Sequence, residues 1–179
     1  MQKTMVLGIA VILVLTGSVV RAEEQTSLLL TDVQIAEIKT NCLSVQSTLE
    51  RIHASDALAR VNLGQQYETI STKLMAPMNS RIALNRLDGI ELTKTTVEFN
   101  NELDRFRSMY QQYEQTILRA TKINCSNQPV SFYDTVSLAR EHRAEVRQSV
   151  DKMTVLTKQY GEQFDTFRAK TLEKTERAS

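Results

Sequence analysis

The chain has 179 residues, with 22 Lys and Arg against 21 Asp and Glu and a formal charge of +1. That balance gives no electrostatic case for nucleic acid or for an anionic membrane surface. Two prolines, five glycines and no tryptophan suit long helices and argue against a turn-rich β fold.

Lys3 precedes an uncharged run from Met5 to Val20, followed by Arg21-Ala22-Glu23-Glu24. A basic start, an apolar centre and small residues before the first acids read as a secretory signal over residues 1–22, cleaved after Ala22. The alternative is an uncleaved membrane anchor, but the run is shorter than the roughly 20 residues that span a bilayer comfortably. Cleavage would remove Lys3 and Arg21 and no acid, so the mature chain would be near neutral. It would place the protein outside the cytoplasm.

Residues 23–179 read as one helical domain. The first helix is expected over 31–75. Thr31 with Gln34 forms a capping box, and Leu30 with Ile35 occupies the flanking staple positions. Apolar residues then recur at alternating steps of three and four: Ile35, Ile38, Cys42, Val45, Leu49, Ile52. His53, Ser55 and Asp56 put polar groups on that seam, and Pro77 disfavours helix at Ala76. Residues 76–88 form a connector, with room for a helical turn around Ser80–Leu87.

The second helix is expected over 89–124, opened by an Asp88/Glu91 capping box. Its stripe runs Leu92, Thr96, Phe99, Leu103, Phe106, Tyr110, Tyr113, Ile117, Ala120. A loop closed by Pro129 leads to a third box, Ser131/Asp134, and a third helix over 132–172. Its stripe includes Val136, Ala139, Arg143, Val146, Val150, Met153, Tyr160 and Phe164, and a polar, frayed tail follows. A mean step of 3.5 keeps one stripe of each helix on a partner. The expected fold is therefore all-α, an elongated antiparallel three-helix bundle or coiled coil.

Cys42 and Cys125, in an oxidising compartment, suggest one disulfide, with two buried thiols as the alternative. Cys42 lies 33 residues before Met75, and Cys125 lies 36 residues after Gly89. Antiparallel arms of those lengths differ by about 5 Å, whereas a first helix running to Leu87 would misplace the cysteines by about 14 Å. Folding about Gln128 places Ile117 near Ala139, Tyr113 near Arg143 and Phe106 near Val150. Arg143 interrupts an apolar stripe there, either stacked on Tyr113 or reaching out to solvent. Asn124-Cys125-Ser126 also satisfies the N-glycosylation pattern, which bears only on a eukaryotic secretory pathway.

No residues are assigned to catalysis, to a cofactor or to a metal. His53 and His142 read as solvated helix-surface residues, and no Glu-x-x-His pair recurs on facing helices. There is no haem-attachment motif, no Gly-rich phosphate loop and no nucleophile elbow.

Leu30-Thr31-Asp32-Val33-Gln34 resembles the Leu-Thr-x-x-Gln signature of small periplasmic chaperones of the Spy and CpxP kind, although that signature occurs twice in those proteins and once here. A longer resemblance rests on Ser55-Asp56-Ala57-Leu58, Arg60-Val61, Gly64-Gln65-Gln66-Tyr67-Glu68 and Gln128-Pro129-Val130-Ser131-Phe132-Tyr133-Asp134, together with the two cysteines. It is to a group of small exported all-helical proteins from bacteria with reduced genomes. It implies an exported, bridged, helical protein and no activity. The expectation is a non-enzymatic helical interaction or cell-envelope module, meeting a protein partner or its own copies through helical surfaces, with no small-molecule substrate evident. Tyr67, Leu74 and Val97 flank the strict seam and are the residues expected to widen it. The alternative is a periplasmic helical chaperone or ligand-binding bundle.

Overall fold

A computed structural model describes residues 30–178, and the signal expected over residues 1–22 lies outside them. Every described element is helical: α1 (Asp32–Thr69), a π-helical turn (Ile70–Met75), α2 (Ala76–Leu84), α3 (Ile90–Lys122) and α4 (Pro129–Ala178). The first three run on without a break, so the chain makes three antiparallel rods, as the stripes require. α3 and α4 pack along their length, whereas α1 leans mainly on α3 and touches α4 only sparsely.

α1 starts at the predicted box. Thr31 N–H donates to Gln34 Oε1 at 2.9 Å, and Gln34 N–H donates to Thr31 Oγ1 at 3.3 Å. Its end was misplaced by the sequence reading. Ala76 is helical, and the rod crosses Pro77 to reach Leu84. Proline removes one donor and crowds the preceding turn. The π turn just before it meets both demands, with Ala76 N–H bonding to Ser71 C=O five residues back. The wider turn also holds residues spaced by four, Tyr67, Ser71 and Met75, on the buried face.

The rod stops in a left-handed cap. Arg86 has φ 54°, its N–H bonds to Ala83 C=O, and Leu87 N–H bonds to Ile82 C=O. This is the Schellman pattern with arginine where glycine is usual. The chain then doubles back over the overhanging end of α2, and Gly89 lies against Ile82, where a Cβ would come within 2.5 Å of Cγ2. Before that end α2 lies beside the first turns of α3, where Asn79 Nδ2 donates to Thr96 Oγ1 at 2.7 Å, and the cysteines still meet.

Cys42 and Cys125 are bridged, with Cα atoms 5.5 Å apart. Beside the bridge, Gln46 Nε2 donates to the carbonyls of Thr121 and Ile123 at the end of α3, at 3.1 and 2.8 Å. The other two expected capping boxes are absent. Asp88 accepts only from Ile90 N–H, at 3.4 Å, and Gly89 is the N-cap of α3. Pro129 opens α4 instead of closing the loop, because the first helical position needs no donor. Ser131 and Asp134 therefore lie inside the helix, and α4 continues to Ala178 where a frayed tail was expected.

The α3–α4 pairing follows the fold about Gln128. Ile117 and Ala139 share one core cluster with Tyr110 and Tyr113, while Phe99, Leu103 and Phe106 pack with Met153 and Leu156. Polar seam residues fix the register: Thr95 Oγ1 donates to Gln163 Oε1 at 2.9 Å, and Ser71 Oγ donates to Asn100 Oδ1 at 2.6 Å. Tyr67 turns into the core, but Leu74 and Val97 stay exposed.

Candidate functional site

The middle of α1 has few large apolar residues on its inner face. Asp56 meets the other two rods there. Arg143 Nε and Nη2 donate to its two carboxylate oxygens at 2.7 and 2.8 Å, and the Tyr113 hydroxyl donates to Oδ2 at 2.5 Å. Arg143 therefore neither stacks on Tyr113 nor reaches freely into solvent, because a carboxylate from α1 claims it as a bidentate partner. Burial raises the Asp56 pKa, but the bonds from Arg143 and Tyr113 outweigh that and hold it below the ordinary value. Burial, and then the bond to Asp56, push the Tyr113 hydroxyl well up.

The ring that stacks with an arginine is Tyr110, whose centroid lies 5.0 Å from the Arg60 guanidinium. Its hydroxyl is fully buried without a partner among the described residues. Both histidines are more inward than expected. His53 Nε2 lies 3.9 Å from Glu114, and His142 Nδ1 is 3.1 Å from Thr116 Oγ1.

Where α1 stands off from α4, a groove of about 500 Å³ opens over α3. Leu63, Phe106, Val146 and Val150 supply its apolar surface, and Arg60, Arg140, Arg143 and Arg147 supply four cations against one acid, Asp56. Among the described residues, only Arg143 of the four has a carboxylate within 4 Å. Arg140, Arg143 and Arg147 share one face of α4 by their three- and four-residue spacing. The Asp56–Arg143 pair closes one end of the groove, and a smaller hollow lined by Thr48, Arg51, Ile52 and Ser55 lies beyond it. A larger hollow of about 760 Å³ lies between the α3 N-terminus and the end of α4, but there Arg86, Lys170 and Lys174 are matched in number by Asp88, Glu91 and Glu162.

Large exposed apolar residues on the first rod include Leu43, Leu58 with Val61 one turn further on, Leu74 and Leu84. Among the described residues no group of three or more His, Cys, Asp or Glu is placed to hold a metal ion, and no helix is long and apolar enough to cross a membrane.

The structure thus brings together Asp56, Tyr113 and Arg143 from three rods. The sequence had paired the last two but had not linked Asp56 to them. Arg60, Arg140 and Arg147 escaped sequence reasoning, although the arginine spacing on α4 was the available signal. Comparison with family models, with curated proteins and with solved structures returns no match.

Proposed function

We propose that the mature protein is an exported, non-enzymatic binding module of the bacterial envelope, and that it engages an anionic partner group in the α1–α4 groove. The observation behind this is the groove's charge: three guanidinium groups without a carboxylate, set around aromatic and aliphatic side chains. Arginine is weakly hydrated for a cation and presents a fork of donors, so an arginine-rimmed apolar groove favours acidic partners over neutral ones. The Cys42–Cys125 bridge fits an oxidising compartment, and residues 1–22 supply the export signal that reaches it.

Two measurements test this reading. Mass spectrometry of the native protein is expected to find an N-terminus at Glu23. A photo-crosslinking residue in place of Ala144, which lines the groove, is expected to give adducts in native cells. The same probe at Asp165, exposed on α4 and outside the groove, is expected to give far fewer. A chain retained from Met1, or equal labelling from both positions, refutes the proposal.

A further inference from the structure

We infer that the groove is a site for a small amphiphilic carboxylate, with the head among Arg60, Arg140 and Arg147 and the apolar body on Phe106, Val146 and Val150. This inference rests on the reading of the groove as a binding site and names what occupies it.

Size selects the occupant. The lining residues cover Asp56 to Leu63 on α1 and Arg140 to Val150 on α4. At 1.5 Å per residue that is a site of about 10–15 Å. The Asp56–Arg143 pair blocks one end. A partner helix needs a longer, open trough to lay successive turns into. A volume of about 500 Å³ falls within the range of small-molecule sites.

Chemistry selects the head group. The walls are helix interiors, so their backbone N–H groups are already used within the helices. No helix N-terminus points into the groove, so no cluster of free backbone N–H groups is offered to an anion there. Guanidinium forks remain, and a fork matches the two oxygens of a carboxylate. Asp56 already shows the preferred geometry, since its carboxylate takes two bonds from Arg143 at the groove's closed end. A ligand carboxylate would repeat that pairing with the cations left over.

The test uses the oxidised mature protein and decanoate as the probe, with acetate as the head-only control and 1-octanol as the body-only control. Titration followed by calorimetry is expected to show saturable decanoate binding, at least about tenfold tighter than either control. Methyl shifts are expected at Val146 and Val150 and not at Val97, which is exposed outside the groove. The double variant Arg60→Gln/Arg147→Gln is expected to weaken decanoate at least about tenfold, while Lys158→Gln, elsewhere on α4, leaves it unchanged. Circular dichroism checks that the double variant is folded, and the wild-type shift map decides the matter if it is not. Absence of saturable decanoate binding, equal binding of octanol, or shifts spread away from the groove overturns the inference. Crosslinking from position 144 in cells that persists without decanoate binding would leave the groove a binding site and remove only the amphiphilic carboxylate.

Discussion

Asp56 ties all three rods together, as Asn79 does further along the first rod, and its removal separates two energies. Asp56→Ala breaks the pair with Arg143, whose side chain is 55% exposed, so that loss is about 0.5–1 kcal/mol after solvent screening. It also strands the Tyr113 hydroxyl, on a ring that is only 2% exposed, and an orphaned buried hydroxyl costs about 1–3 kcal/mol. The expected total is about 1.5–4 kcal/mol. Arg143→Ala keeps the Tyr113–Asp56 bond and is expected to cost no more than about 1 kcal/mol. Tyr113→Phe in the Asp56→Ala background removes the orphan. The double variant is therefore expected to be more stable than Asp56→Ala by about 1 kcal/mol, since deleting both partners of a hydrogen bond is nearly neutral. Urea denaturation of the oxidised protein, with the slope checked to be constant, gives all four values. Equal losses for Asp56→Ala and Arg143→Ala, with no recovery in the double variant, would refute the view that the buried hydroxyl dominates.

Four further outcomes are expected. Arg86→Gly relieves a left-handed arginine at φ 54° and should raise stability by about 1 kcal/mol, read as a higher urea midpoint. Gly89→Ala drives a Cβ to within 2.5 Å of Ile82 and should lose about 1–3 kcal/mol, whereas Gly161→Ala, with nothing within 4 Å, should gain about 0.5–1 kcal/mol; opposite signs in thermal melts check the pair. Reducing the bridge, which spans 83 residues of sequence, should cost about 4–5 kcal/mol by chain entropy, measured by denaturation with and without reductant. Asp56 has a lowered pKa when folded, so its share of stability is present above the ordinary value of 3.8 and is lost as pH falls through the folded value; Asp56→Asn should lower the melting temperature near pH 7 without changing its slope there, and should flatten the profile below pH 4.

The architecture was legible because helix pairing is written in regular steps. The stripes, folded about Gln128 in the short loop, place Ile117 by Ala139 and Phe106 near Val150. The Thr31 box was legible for the same reason, since it is purely local. Pro77 misled because its rule concerns an ideal α-helix, and a π turn changes which carbonyl lies opposite the missing donor. Nothing local at Ile70–Met75 announces that turn. The Asp88 and Ser131 boxes failed for a related reason. A box pattern states what the side chains are able to do, but Gly89 is fixed by its approach to Ile82, and Pro129 begins α4 two residues before Ser131.

The groove is a consequence of the same α1 stripe that builds the bundle. Large apolar residues hold α1 to its neighbours as far as Ile52 and again from Leu63 and Tyr67. Between them the inward positions fall to Asp56, Ala59 and Arg60, which carry a charge or almost no side chain. The two ends are pinned, one by the disulfide with Gln46 and the other by the Tyr67–Met75 cluster, so α1 cannot slide to bury something better. Its middle instead spans an opening, and the Asp56–Arg143–Tyr113 contact is the single polar strut across it. Leucines at those three positions would pack three continuous seams and leave no groove. The gap in the stripe therefore costs burial that a plain spacer would keep. That makes the break in periodicity, together with the arginines facing it from α4, the part of this chain hardest to explain by folding alone and most readily explained by binding.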